Sequence, residues 1–144
     1  MRLKIVYIFL LVFTLTACKR DDTTSLSFTL TGKWKLVKYE DSRKGTSEAE
    51  PSNIERSIII DFIDDGTTGS MSGQTVTNAV GGEYKISKSG KFTTIRFGGT
   101  KIGEPDWGDK FWFAIAAASS YERRGVRLSI YFNADHEKME FIRN

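Results

Sequence analysis

Scarce residue types limit the chemistry open to this chain. Its 144 residues include one cysteine, Cys18, one histidine, His136, and two prolines. These counts exclude a zinc site built from cysteine and histidine, and they exclude a disulfide within the chain. No serine stands in a nucleophile-elbow pattern, and neither Gly pair (81–82 and 98–99) is followed by Lys-Ser or Lys-Thr. The motifs of a serine hydrolase and of a phosphate-binding loop are therefore missing.

The few candidate catalytic or metal-binding residues lie in sequences typical of turns. His136 stands in the charged stretch Asp135-His136-Glu137, which indicates a solvated turn. Asp64-Asp65-Gly66 predicts a hairpin, because Asp-Gly tolerates the positive φ of tight turns, and with Asp61 it lacks the ligand spacing of a calcium loop. We predict no enzyme, metal site or cofactor. A carboxylate-based hydrolase is the alternative, and it requires two carboxylates that face each other in a cleft.

Long apolar runs are scarce as well. The run from Ile5 to Leu15 is shorter than the about 20 residues that span a membrane. Arg2 and Lys4 precede it, and Leu15-Thr16-Ala17-Cys18 follows. A basic start, an apolar stretch of this length and small residues before a cleavage point predict a cleaved secretory signal at residues 1–17. The alternative is an ordinary secretion signal followed by a chance cysteine.

Leu15-Thr16-Ala17-Cys18 resembles the lipobox of bacterial lipoproteins, with Thr16 in the variable position. The resemblance implies cleavage before Cys18 and attachment of lipid, such as palmitate, to that cysteine, which anchors the protein to a membrane. An aspartate at position 19 would indicate inner-membrane retention, but Lys19 stands there. Residues 19–22 resemble export signals for the cell surface, although a plain charged tether explains them equally. We predict an outer-membrane lipoprotein on the periplasmic or the surface face.

An excess of one charge sign is also missing. The 21 basic residues include Arg2 and Lys4, so 19 remain after cleavage against 18 acidic residues, and the two signs are interspersed. Nucleic acid is therefore not a predicted partner. We predict a lipidated tether at residues 18–31, one domain at residues 32–144, and a monomer.

Alternating apolar residues predict about seven short strands and one helix. Strand patterns cover Lys33 to Glu40, Ser57 to Ile63, Thr67 to Gln74, Glu83 to Ser87, Lys91 to Phe97, Gly125 to Phe132 and Lys138 to Ile142. A helix is predicted from about Lys110 to Ser120, capped by Asp106 or Asp109. The segment from Leu26 to Leu30 predicts a further strand or a docking segment. Because the connections are short, we predict an α+β fold in which a curled, mostly antiparallel sheet carries the helix.

The order of these elements resembles the META domain, the HslJ-like family, over about Gly32 to Arg143. The resemblance is carried by Gly32-Lys33-Trp34-Lys35-Leu36, Phe62, Asp65-Gly66, Asn78, Gly82, Tyr84, Thr100 and the final hairpin from Leu128 to Phe141. It implies a curved antiparallel sheet with a helix, and it implies no defined activity; members are associated with heat stress, drug tolerance and secretion. Many members have two cysteines where this chain has Thr77 and Glu104 or a neighbour, so no cross-link joins those loops here.

Aromatic residues indicate both a core and a candidate interaction patch. We predict Trp34 and Phe141 in the core on adjacent or nearby strands. The helix around Phe111 is apolar on all sides, which is typical of a buried helix. The alternative is an exposed patch of Trp107, Trp112 and Phe113 that meets a partner or ligand.

The predicted function is a non-enzymatic envelope protein with a role in envelope stress or protein interaction, held at a membrane by lipid. The alternative function is a lipocalin-like binder of a small apolar ligand, which suits the Gly-Lys-Trp opening and needs an apolar pocket of about 300–1,000 Å³.

Asn78 is predicted to be a turn residue whose side chain bonds nearby backbone.

Overall fold

The computed structural model describes residues 28–144, which form nine strands and one helix. The predicted signal sequence, Cys18 and most of the tether lie outside the described residues. The strands are β1 (Gly32–Asp41), β2 (Thr46–Ala49), β3 (Ile59–Asp64), β4 (Thr68–Gln74), β5 (Ala79–Ile86), β6 (Phe92–Gly99), β7 (Ala118–Arg124), β8 (Arg127–Phe132) and β9 (Glu137–Arg143), and helix α1 (Asp106–Ala116) lies between β6 and β7.

Every strand pair is antiparallel, as the short connections predict. Eight strands follow the order β6-β5-β4-β3-β1-β9-β8-β7, and β2 adds a hairpin arm to β1. The two edge strands approach each other, because Lys91 and Ser120 form a bridge and the Tyr121 N–H donates to the Gly90 carbonyl over 2.7 Å. The sheet is therefore nearly closed and barrel-like, and the predicted α+β class is confirmed.

Strand alternation directs one set of side chains into the curled sheet. Trp34 and Phe141 are both buried and lie on the paired strands β1 and β9, as predicted. Burial of large aromatic rings supplies much of the stabilising area, since each removes about 150–250 Å² from water. The fully buried aromatic residues are Trp34, Tyr39, Phe62, Tyr84, Phe92, Phe111, Phe132 and Phe141.

The helix differs from its prediction at both ends. It covers Asp106–Ala116, and Pro105 occupies the N-cap position without a side-chain cap, so neither Asp106 nor Asp109 caps it. Both aspartates lie in the first turn, where a negative charge complements the helix dipole. Residues 118–124 form β7 instead of a last helical turn, because pairing with β8 outweighs the helix propensity of the alanine run.

The structure has two strands more than the predicted seven. One is β7, and the other is β2, which lies in a predicted loop and is exposed at every position, so no apolar alternation marks it. The predicted strand from Gly125 to Phe132 places Val126 on the same face as Leu128, but Val126 lies in the β7–β8 turn and is exposed, whereas Leu128 is buried. Gly125, with φ of 56°, and Val126 form the turn, so the alternation of β8 begins only at Arg127.

The curled sheet has two ends, which we name by what covers them. The tether end consists of residues 28–33, 64–67, 87–91, 123–127 and Arg143. There Leu30 is fully buried, and its carbonyl accepts a hydrogen bond from Trp34 Nε1 over 2.7 Å. The Arg123 and Arg143 guanidinium groups lie 5.3 and 5.1 Å from the centre of the Trp34 ring. Residues 28–31 therefore dock on the domain, which is one of the two predicted outcomes for this segment.

The helix end is the opposite end, and it consists of residues 40–58, 75–78, 100–117 and 133–137. Tyr39, at the end of β1, packs edge-on against Trp107 with 4.5 Å between ring centres, and its hydroxyl donates to the Trp107 carbonyl over 3.0 Å. Phe113 contacts Phe132 across 6.4 Å. Helix α1 thus covers the interior of the sheet at this end.

Candidate functional site

Polar side chains, of which Thr75 and Asn78 are buried, join the β4–β5 turn to the loop that precedes α1. We name this cluster the polar clamp; its members are Thr75, Thr77, Asn78, Thr100 and Glu104. The Asn78 Nδ2 donates to the Ile102 carbonyl over 2.8 Å and to Glu104 Oε1 over 2.6 Å. Its Oδ1 accepts from the Ile102 N–H and from the Thr100 hydroxyl, each over 2.8 Å. Asn78 lies in a turn, as predicted, but its side chain bonds a loop 22 to 26 positions away.

Glu104 is the charged member of the polar clamp. Its carboxylate accepts hydrogen bonds from the Thr75 hydroxyl, from Asn78 Nδ2, from the Thr77 N–H over 3.3 Å and from Trp112 Nε1 over 3.4 Å. Burial raises the pKa of the Glu104 carboxyl, but these hydrogen bonds outweigh burial and hold the pKa below its usual range. Thr77 and Glu104, the positions compared with the META cysteines, are therefore joined by hydrogen bonds.

The three predicted patch residues lie close together on α1 but contact different neighbours. Trp107 is only 2% exposed and packs on Tyr39. Trp112 is half-buried against Phe97, with 4.9 Å between ring centres. Phe113 is 59% exposed. Because successive helical positions point about 100° apart, these residues do not form one exposed surface.

A groove of about 500 Å³ opens beside Trp107 at the helix end, between the loop that follows β2, the β4–β5 turn and the start of α1. We name it the helix-end groove. The indole nitrogen of Trp107 is buried and has no hydrogen-bond acceptor among residues 28–144. A buried N–H without a partner costs free energy, and an acceptor from outside the domain reaches this nitrogen only if the side chains around it move. The lining residues are Glu48, Pro51, Asn53, Ile54, Glu55, Val76, Thr77, Pro105, Asp106 and Trp107.

Sequence patterns did not identify this groove. Three of its lining residues carry carboxylates (Glu48, Glu55 and Asp106), and the first two lie in a segment that reads only as a polar loop. Within the part of the chain that the structure describes, no lysine or arginine lines the groove, but Lys110 Nζ lies 3.2 Å from the Glu48 carboxylate at its edge. Trp107 was the one signal available, because it belonged to the predicted aromatic patch.

His136 lies in a second groove, of about 380 Å³, between the β1–β2 and β8–β9 turns. Its backbone carbonyl accepts from the Ser42 N–H over 2.8 Å and from the Ser42 hydroxyl over 2.9 Å. The residues just before it have positive φ, as a left-handed turn requires: Asn133, Ala134 and Asp135. The predicted turn is confirmed, and the serine hydroxyl that bonds His136 meets its backbone rather than its imidazole.

Two carboxylates do face each other on neighbouring strands, but lysines lie between them. Lys138 Nζ is 2.8 Å from Glu40 and 2.6 Å from Glu140, and Lys38 pairs with both glutamates as well. We name these four residues the ion quartet. Hydrogen bonds from Lys138 and Lys38 lower the pKa of the Glu40 carboxyl. Burial raises the pKa of Glu140, but the lysine hydrogen bonds outweigh it and the pKa is lowered. Neither carboxyl is adapted to act as a general acid near neutral pH.

No three histidine, cysteine, aspartate or glutamate side chains among residues 28–144 are grouped closely enough to hold a metal ion. No helix in that range is long and apolar enough to cross a membrane. The predictions of no metal, no cofactor and no enzymatic activity stay predictions.

Comparison with known proteins identifies similar folds and no family. No family model matches the chain, and no curated protein matches it. An NMR structure of a protein from Burkholderia xenovorans has a TM-score of 0.60 at 19% identity, covering 78% of this chain and 81% of that chain. A crystal structure of a DUF4847 family protein from Bacteroides vulgatus has a TM-score of 0.59 at 17% identity, covering 79% and 93%. Such identities show a shared fold alone, so the META resemblance and the lipid on Cys18 stay predictions.

Proposed function

We propose that this chain is a lipid-anchored, non-enzymatic binding protein of the bacterial outer membrane, with a helix-end groove that binds a basic, partly apolar segment of a protein partner. The observation that carries the proposal is the unpaired indole N–H of Trp107, which lies beside a groove lined by carboxylates and apolar side chains. Support for the anchor comes from the lipobox at Cys18 and the polar residues behind it.

The charge of the helix end and the apolar lining of the groove both favour a basic, partly apolar segment. The helix end contains ten acidic and five basic residues, so its formal charge is −5 with histidine neutral. Ile54, Val76 and Trp107 add apolar lining between the carboxylates of the groove. The lysines or arginines of a bound peptide face the carboxylates, and one of its backbone carbonyls satisfies the indole N–H after a small shift of the Trp107 ring.

A charge-reversal experiment tests the groove. The immobilised mature chain is incubated with envelope extract, and bound proteins are crosslinked through a photoreactive group placed at Asn53. We expect one protein to crosslink through a basic segment, and we expect Glu48→Lys with Asp106→Lys to abolish its capture. Glu83→Lys with Asp61→Lys is the matched control, because it changes the charge equally and these residues lie on β5 and β3 outside the groove. Capture that survives the groove substitutions, or that the control substitutions abolish equally, refutes the proposal.

The lipocalin-like alternative has one observation in its favour. Around the sheet, the strands follow chain order apart from β2, as in the up-and-down barrels of lipocalins. The interior, however, holds fully buried aromatic side chains, and Phe111 of α1 is among them. An apolar ligand must therefore displace α1 or these rings. Saturable binding of the apolar probe N-phenyl-1-naphthylamine, weakened by a Phe111 substitution but not by Glu48→Lys, supports the alternative.

The anchor is tested separately in cells. We expect Cys18→Ala to leave the domain folded and to move it, once membranes are washed at high salt, from the membrane fraction to the soluble fraction, because the acyl chains are lost. Persistent tight membrane binding of the variant after signal cleavage contradicts the anchor. Protease added to intact cells then distinguishes surface display from a periplasmic location.

A further inference from the structure

The two ends of the curled sheet carry opposite charge. The tether end contains seven basic residues and two acidic ones, a balance of +5, whereas the helix end contains five basic and ten acidic ones, a balance of −5. Residues 18–144 contain 19 basic and 18 acidic residues and are close to neutral, so this separation is produced by the fold. The basic residues of the tether end are Lys33, Lys88, Lys91, Arg123, Arg124, Arg127 and Arg143.

Apolar side chains are exposed among these basic residues. Phe28 is 52% exposed, and the Lys88 ammonium lies 5.9 Å from the centre of its ring. Val126 is 59% exposed at the tip of the β7–β8 hairpin, between Arg124 and Arg127. Basic side chains around exposed apolar tips are typical of surfaces that lie at the headgroup level of a membrane.

The β7–β8 hairpin carries two arginines opposite each other, an arrangement that charge repulsion disfavours. Arg124 and Arg127 are direct cross-strand partners. Like charges in this position destabilise a hairpin, and the Glu122 carboxylate, which pairs with Arg124, offsets part of the repulsion. Both arginines are exposed, so an anion from outside the domain has access to them.

The position of the tether brings this end to the membrane. The Phe28 carbonyl accepts from the Tyr121 hydroxyl over 2.7 Å, and the Thr29 carbonyl accepts from Arg123 Nη1 over 2.6 Å. The point where the chain joins the domain is thereby fixed at the basic end. From Cys18 to Phe28 the chain advances ten residues, which span at most about 33–36 Å when fully extended.

We propose that the tether end is a docking surface for an anionic phospholipid bilayer, with Lys88, Arg124 and Arg127 at the phosphate level and the Phe28 and Val126 side chains at the acyl boundary. The proposal rests on the proposed lipid anchor, which holds the surface near the bilayer. It also orients the molecule, because the helix-end groove then faces away from the lipid. Charge complementarity, the exposed apolar tips and the tether position together favour a lipid surface over an acidic protein.

Vesicle binding of an unlipidated chain tests the surface without the anchor. The probe is residues 18–144 with Cys18→Ala, and the vesicles are phosphatidylcholine alone or with about one-third phosphatidylglycerol. We expect sedimentation with the anionic vesicles only, and weaker binding as salt rises. Replacing Arg124 and Arg127 with glutamine should weaken binding at least about tenfold, because two phosphate-facing charges are lost while the hairpin loses its repulsion. Replacing Arg43 and Lys44 with glutamine at the helix end removes the same charge and should change binding little.

A fluorescent label reports the orientation. Cys18 is the only cysteine, so the Cys18→Ala chain accepts a single new one. A polarity-sensitive dye on Val126→Cys should shift to the blue with anionic vesicles, whereas the dye on Phe113→Cys should not. Equal binding to both vesicle types, no binding to anionic vesicles, equal loss in the two glutamine pairs, or a shift at position 113 alone overturns the proposal. A salt wash of cell membranes separates this surface from the anchor: Cys18→Ala that the wash releases was held by the surface, whereas Cys18→Ala that resists the wash contradicts the anchor.

Discussion

Asn78→Ala is the most informative test of how the helix end is assembled. The substitution removes four hydrogen bonds of 2.6 to 2.8 Å that join the β4–β5 turn to residues 100–104. A buried polar group left without a partner costs about 1–3 kcal/mol. Water reaches part of this site because Thr100 is exposed, so we count about two such groups and expect a loss of about 2–4 kcal/mol in the free energy of unfolding. For a domain of this size that lowers Tm by roughly 8–14 °C.

Thermal unfolding followed by circular dichroism measures the effect of Asn78→Ala. Asn53→Ala is the control, because Asn53 is an exposed amide at the same end of the sheet. Asn78→Asp adds a second check, since it places a new carboxylate next to Glu104 and should destabilise the domain more at pH 7 than at pH 4. If Asn78→Ala melts within a degree or two of the parent chain, the polar clamp does not hold the loop and the reasoning is wrong.

Gly108→Ala tests the polar clamp from the helix side. A Cβ at Gly108 would lie 2.1 Å from Glu104 Oε2, so the carboxylate must leave its donors. We expect Tm to fall although alanine favours helix more than glycine does. Gly103→Ala is the matched control, because nothing lies within 4 Å of its added Cβ. A rise in Tm for Gly108→Ala would show that Glu104 moves at no cost.

Two further predictions concern the core and the ion quartet. Phe141→Ala should cost about 3–5 kcal/mol in chemical denaturation, whereas the exposed Phe113→Ala should cost far less; equal losses would contradict the assignment of Phe141 to the core. The lowered pKa values of Glu40 and Glu140 stabilise the folded state above the ordinary glutamate pKa, and this contribution is lost as pH falls through the folded-state values. Lys138→Met should therefore lower the free energy of unfolding by about 1 kcal/mol at pH 7 and by less below pH 4. If Lys138→Met costs the same free energy at pH 7 and below pH 4, the ion pairs of Lys138 with Glu40 and Glu140 do not stabilise the fold.

The strongly alternating segments were predictable because the alternation of apolar and polar residues indicates which side chains are buried. Ile58, Ile60 and Phe62 recur at every second position and are all buried. Asp64-Asp65-Gly66 forms its predicted hairpin turn, because the Asp65 carboxylate accepts from the Thr67 and Thr68 N–H groups over 2.8 Å. Local patterns of this kind depend only on neighbouring residues.

The edges of the sheet and the helix boundary were not predictable in the same way. β7 contains a single buried large apolar residue, Tyr121, so its seven residues show no alternation. The alanine run before it has high helix propensity, and only the partner strand β8 decides against a longer helix. β2 is set by its pairing with β1 alone.

The sequence by itself determined the class of the fold, the core strands, the hairpin at Asp65 and the scarcity of catalytic groups, because each follows from local periodicity, turn chemistry or a residue count. Only the tertiary structure decided which polar residues meet. Asn78 and Glu104 are 26 positions apart yet bond over 2.6 Å, and Arg123 and Arg143 meet over the Trp34 ring. The opposite charge of the two ends arises in the same way, since interspersed charges separate only when antiparallel strands carry alternate turns to opposite ends of the sheet.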